Sequence, residues 1–288
     1  MNPRGVDPRI LAALEAAAGI AVLSLMDAII KGLGARYPVF QIAFVRYLVG
    51  SAIMLAVVAV ARPGWPSWET LRTNGVRALL VVTTAVTFFY ALGQLPLAET
   101  LALSFISPIL VAVLGATVLG EAVPTRVAGA MALGFLGMAV VVAGQLGPGT
   151  EGRPWLGIAA VLVSALTYAL SMVLLRARAQ RDPVLTIVAI QNVGPMLVLA
   201  GPATWAWVPA AASDWALLAL IGVLGVAGHV FMSRAYARAE AARLAVMEYS
   251  ALIWALVFGF VGFGEVPGLV TMAGAALIVA GSLLATRR

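Results

Sequence analysis

His229 is the only histidine among 288 residues, and Glu248 stands near it in a neighbouring apolar run. His229 lies about seven residues from the end of its run, and Glu248 about seven residues into the next. If both runs are helices, a rise of 1.5 Å per residue places the two roughly 10 Å deep on adjacent helices. A carboxylate beside an imidazole can exchange a proton near neutral pH. The alternatives are a neutral hydrogen-bonded pair, or helices turned so that the two do not meet. Asp27 and Lys31 are four residues apart, one helical turn, and Arg46 enters the following run from the same side. These three suit a structural ion pair, with a substrate or gating role for Asp27 as the other reading. Glu15 sits about a turn and a half inside the first run. It either snorkels to an interface or belongs with His229 and Glu248 as a proton-linked group.

Other chemistries lack their residues. There is no cysteine, so no disulfide, thiol nucleophile or Cys-based metal site. One histidine excludes multi-histidine metal sites. Neither HExxH nor a phosphate-binding glycine loop ending in Lys-Ser/Thr is present. Ser107 or Ser250 as a nucleophile would need His229 as its base, and nothing supports such a triad. We therefore expect no catalytic residue, metal or cofactor, and no ATP-driven step within this chain. The formal charge of +6 does not point to nucleic acid, because the basic residues sit at the ends of apolar runs and form no stripe.

The elements that position these residues follow from hydropathy. Apolar residues make up 62% of the chain and charged ones 10%, against roughly a quarter charged in soluble domains. Ten runs approach the length of a membrane-crossing helix: 10–30, 38–61, 76–95, 98–119, 125–144, 155–177, 184–203, 215–236, 241–263 and 267–285. A chain in lipid must satisfy its backbone internally, so these runs read as helices. The first carries Asp27 and no small-residue cleavage site, and reads as an uncleaved span. With a cytoplasmic N-terminus, fourteen Arg fall inside and Lys31, Arg36 and Arg153 outside. The bias predicts that both termini are cytoplasmic. Trp65, Trp68, Trp155, Trp205, Trp207 and Trp215 fall at span ends, and Trp254 lies inside the ninth.

The runs also echo one another. Leu119-Gly120-Glu121 matches Phe263-Gly264-Glu265 at an offset of 144 residues, as Gly115 matches Gly259 and Gly137 matches Gly281. The predicted halves are 1–144 and 145–288, with five spans each. An odd number inverts the second half, so the expected fold is an all-α membrane protein of ten transmembrane helices, two inverted five-helix repeats around a central cavity. Glu121 and Glu265, at helix starts, read as structural.

On these residues the chain resembles the drug/metabolite transporter superfamily, and its ten-helix EamA-type members in particular. Ser107-Pro108, Leu119-Gly120-Glu121, Ala130 and Gly137 look like that family's repeat. The second copy keeps Gly264-Glu265, Gly274 and Gly281 but has Leu252 where the proline would stand. Within the superfamily the chain is similar to YddG-like amino-acid exporters. The resemblance implies secondary transport across a bacterial inner membrane by alternating access, with a small-molecule substrate and the lipid bilayer as partners and no ATPase.

Polar stripes indicate which helices line the path, because polar groups inside lipid normally face the protein interior. Ser24 and Asp27 mark the first span, Thr83, Thr87 and Tyr90 the third, and Ser104 and Ser107 the fourth. Tyr168 and Ser171 mark the sixth, His229 the eighth, and Glu248, Tyr249 and Trp254 the ninth. Spans five and ten are expected outside the cavity. Small polar residues also serve helix–helix packing, the other reading of each stripe. A phosphorylated substrate would require several mid-membrane cations, and Arg46 stands alone. The mixture of aromatics and hydroxyls fits neutral or aromatic amino acids. Proton-coupled export of amphipathic drugs is the alternative.

Overall fold

The computed structural model describes residues 8–120, 122–123, 125–145, 154–239, 244, 247, 250–266 and 268–286. Eleven helices occur among them: α1 (Pro8–Gly34), α2 (Val39–Ala61), α3 (Trp68–Gln94), α4 (Leu97–Ser104), α5 (Ile106–Leu119), α6 (Thr125–Gln145), α7 (Pro154–Ala179), α8 (Val184–Trp205), α9 (Asp214–Arg238), α10 (Ala251–Phe263) and α11 (Leu269–Thr286). Six of them, α1, α2, α3, α7, α8 and α9, are long and apolar enough to cross a membrane, and shorter apolar stretches lie in α5, α6 and α10. Large apolar side chains such as Val60, Leu79, Phe260 and Val261 are exposed on the outside. That is the surface a bilayer rather than water would cover.

Local chemistry sets the element ends. Ser67 caps α3, its hydroxyl accepting the Thr70 N–H at 3.1 Å, with Glu69 in the first turn. This starts α3 well before residue 76, the predicted span start. The predicted fourth span is two helices, α4 and α5, separated at Phe105. Pro108 has no N–H and cannot bond the Ser104 carbonyl. The Ser107 hydroxyl donates to that carbonyl instead, at 2.6 Å. Gly120 and Gly264 each follow a helix with left-handed φ, 67° and 64°. Their N–H groups return to the Gly115 and Gly259 carbonyls. The 144-residue echo is therefore one of backbone geometry as well as residue type.

Packing follows the same offset. α1 lies against α9 as α7 lies against α3, and α2 meets α9 as α8 meets α3. α2 also packs on α8, and α6 on α11. Exchanging each helix for its counterpart in the other half maps these pairs onto one another. α9 approaches α1 and α2 closely: a Cβ on Gly228 would sit 2.5 Å from Leu23 Cγ, and one on Gly222 2.5 Å from Val49 Cβ. No other residue type fits so near a neighbouring helix.

Among the described residues the two larger apolar cores are one including Ile30, Ile42 and Leu92 and one including Ala16, Leu175 and Tyr236. A cavity lies between them and takes wall residues from both. Polar ties bind the bundle at both ends. At one, Arg36 and Tyr37 Oη both donate to Asp214, at 2.7 and 2.6 Å. There too the Gln41 amide donates to the Val208 carbonyl and accepts the Val208 N–H. At the other, Arg178 joins Asp182 and Glu69 at 2.8 and 2.6 Å, and Arg238 pairs with Glu15.

Candidate functional site

The cavity measures about 200 Å³ and is walled by α1, α2, α3, α4, α5, α7, α8 and α9, with Ala251 from α10. No described residue of α6 or α11 lines it, and these two helices pack on each other. Part of the lining is apolar and aromatic: Val81, Ala85, Phe88, Phe89, Leu101 and Phe105. The polar part comprises Ser24, Asp27, Arg46, Ser164, Ser171, Gln191 and His229. Burial makes this polar part costly unless each donor finds an acceptor.

Arg46, only 2% exposed, does not find strong ones. Its guanidinium lies over the Tyr47 ring, 4.2 Å from the centroid. Nε points at the Met26 thioether sulfur at 3.2 Å, a weak acceptor. Nη2 lies 2.8 Å from His229 Nε2. Nη1 has no hydrogen-bond partner among the described residues. On the far side of the imidazole, the Gln191 amide nitrogen lies 3.1 Å from His229 Nδ1. The Gln191 carbonyl oxygen accepts from Arg77 Nη2 at 2.6 Å. Arg77 is itself buried and also donates to the Ser171 carbonyl and Asn74 Oδ1. The chain Arg77–Gln191–His229–Arg46 thus brings N–H donors to both ring nitrogens. A neutral imidazole offers one lone pair and an imidazolium none. At least one of the two donors is therefore unmet in every protonation state.

The structure brings Ser24, Asp27, Ser104, Ser107, Tyr168, Ser171 and His229 to the cavity. It does not bring Thr83, Thr87 or Tyr90 there. The Thr83 and Thr87 hydroxyls return to the carbonyls one turn back, at Leu79 and Thr83, and Tyr90 is exposed. Thr84 and Phe88, one position along from Thr83 and Thr87, face inward instead. A single residue is about 100° of helix rotation. Trp254 is also off the cavity: it is exposed and stacks on Phe258 at 5.9 Å. Glu248, Tyr249 and Glu121 lie outside the described residues.

Lys31 does not pair with Asp27. It reaches across to Glu265 at 3.1 Å and donates to the Leu95 carbonyl at 2.8 Å. Glu265 in turn accepts the Leu97 N–H at 3.0 Å. It therefore caps the start of α4, where the dipole reading had it serving the helix that follows it. Glu15 meets Arg238 on α9. Asp27 has neither hydrogen bond nor ion pair among the described residues, although it lines the cavity with Arg46.

Sequence reasoning missed three site groups: Tyr47, Gln191 and Arg77. Arg77, one of the fourteen arginines that the charge bias assigns to the inner side, is buried in the bundle. The missed signal was Ser67 followed by Glu69, a helix start that puts Arg77 more than two turns inside α3. Arg46 is consequently not a lone cation, and the argument against anionic substrates that rested on its isolation loses that support.

Comparisons with known proteins agree with this architecture. The EamA-like transporter family matches the chain twice, over residues 10–143 and 155–287. The pseudopaline exporter CntI of Pseudomonas aeruginosa is 30% identical over 271 residues, covering 92% of each chain. The S-adenosylmethionine uptake transporter of Rickettsia prowazekii is 24% identical over 263 residues, covering 90% of this chain and 87% of the relative. A solved crystal structure superposes with a TM-score of 0.77 at 21% identity, covering 96% of this chain and 98% of the other; that likeness shows the fold.

Proposed function

From the premise that the chain belongs to the EamA-like transporter family, a family of transporters and not enzymes, we propose its cargo and mode of action. It is a multi-pass membrane protein and a transporter of small metabolites. In our reading the metabolites are neutral and aromatic amino acids, moved across the bacterial inner membrane by alternating access with both termini in the cytoplasm. The halves 1–144 and 145–288 are the two exchanging units, related by a pseudo-two-fold axis in the membrane plane. The matched packing pairs and the recurring Gly120 and Gly264 geometry support this.

The cavity carries the substrate reading. At about 200 Å³ it is smaller than the roughly 300–1,000 Å³ of sites for drug-sized ligands. Its lining combines aromatic rings, hydroxyls and two charges of opposite sign. Named relatives include both an exporter and an uptake transporter, so the direction of net flux is not a property of the fold.

The test is counterflow in proteoliposomes. Vesicles loaded with unlabelled phenylalanine should accumulate labelled phenylalanine without ATP, and a nucleotide-sugar or amphipathic drug should compete weakly. Accumulation with a drug inside and none with amino acids inside would favour the second reading, proton-coupled drug export. That reading rests on His229, which stands at the cavity, with Glu248 as its proton-linked companion; Glu15, paired with Arg238 at the end of the bundle, is set apart from them. Under it, Glu248→Gln removes the response to a pH gradient and spares exchange between equal pools.

A further inference from the structure

We infer that Arg46 and Asp27 are the two poles of a zwitterion site, Arg46 for the substrate carboxylate and Asp27 for its ammonium group. The inference rests on the amino-acid reading above and assigns its binding residues.

Arg46 is buried, yet none of its three nitrogens has a strong acceptor. Nε has a thioether, Nη2 the Nε2 of an imidazole whose other nitrogen faces the Gln191 amide, and Nη1 nothing among the described residues. A guanidinium is shaped for two parallel bonds to a carboxylate. Its neighbours here, Tyr47, His229 and Met26, are all uncharged or able to be so, and none takes that place. Asp27 has the complementary deficit: a carboxylate at the cavity wall with no donor among the described residues. Two opposite charges share one small cavity and no ion pair joins them. Arg77, the further buried cation, does not line the cavity and is held by Gln191, Asn74 and the Ser171 carbonyl; of the two charges that do line it, a bare anion or a bare cation satisfies one and leaves the other without a partner. A zwitterion meets both at once. The aromatic part of the lining then receives the side chain, so Phe88, Phe89 and Phe105 set a preference for apolar and aromatic residues.

Binding to the purified full chain in nanodiscs tests this without depending on transport. The probes are L-phenylalanine, phenethylamine, which keeps the ammonium and lacks the carboxylate, and phenylpropanoate, which keeps the carboxylate and lacks the ammonium. Phenylalanine should bind about ten- to a hundredfold more tightly than either, the range expected for one lost charge-assisted hydrogen-bonding group. Arg46→Gln should erase the preference over phenethylamine. Asp27→Asn should erase the preference over phenylpropanoate. If Arg46→Gln fails to fold, the Asp27→Asn arm decides alone, because Asp27 holds no described contact that folding would miss. Equal binding of all three probes, binding of none, or a preference that survives Asp27→Asn overturns the assignment. Stabilisation by chloride alone as strong as that by phenylalanine would also overturn it in favour of a plain anion site. If phenylalanine is transported and the three probes bind alike, only the pole assignment falls. If a drug is transported and phenylalanine neither binds nor moves, the amino-acid reading falls with it.

Discussion

At the ends of the bundle Lys31 meets Glu265, Arg36 meets Asp214, Arg178 meets Asp182 and Glu69, and Arg238 meets Glu15. Midway along it, Arg46 touches a thioether and an imidazole, Arg77 bonds only neutral oxygens, and Asp27 has no described partner. Burial does not explain the contrast, since Arg178 and Arg46 are both nearly inaccessible. The end pairs tie α1 to α9, α3 to the turn after α7, and the first half of the chain to the second. The central groups tie little. A folded chain keeps unmet buried charge at a cost. Where that cost falls in a cavity, it marks groups retained for something that arrives from outside.

Substitutions can break or sharpen this contrast. The largest stability effect should come from Arg178→Met. It leaves Asp182, whose side chain is only 7% exposed, with the Thr70 hydroxyl but no described cation, and removes the Arg178 bond to Thr70. Breaking a buried pair costs about 3–5 kcal/mol, and thermal unfolding in detergent should show the steepest drop here. Glu265→Gln comes next. It weakens the tie to Lys31 while leaving an oxygen for the Leu97 N–H. With Glu265 24% exposed, a loss of about 1 kcal/mol is expected. Asp27→Asn should cost nothing in the ligand-free protein and can raise the melting temperature, because it removes an unpaired charge. A clear destabilisation by Asp27→Asn would show that the central acid is structural after all and erase the contrast.

Much of the fold was legible before any coordinates. Long apolar runs can only be helices in lipid, and Gly-Glu recurring at a fixed offset marked the duplication. The α4–α5 break was not foreseen, although Pro108 was singled out, because a proline three residues into a helix and one in the middle of a span look alike in sequence. The site was half legible. Ser24, Asp27, Ser104 and His229 stand out as polar residues in apolar runs. The face of α3 was set one position out of phase, because its threonines occur at 83, 84 and 87 and fit two stripes. Gln191 had no signal of its own; only the packing of α2 and α3 on α8 gives it Arg77 and His229 as neighbours.

The α4–α5 join has a mechanical consequence. At Ser104 the helical ladder lacks an amide rung, and a side-chain hydroxyl on a rotatable bond stands in for it. Bending at this point stretches a hydroxyl contact, where elsewhere along α5 it would stretch a backbone one. The elbow sits on the cavity wall, since Ser104, Phe105 and Ser107 all face it. At the matching position 144 residues on the sequence has Leu252 and no proline. The elbow belongs to the same part of the chain as Asp27 and Arg46, so a bend there moves the wall of the cavity that both of them line.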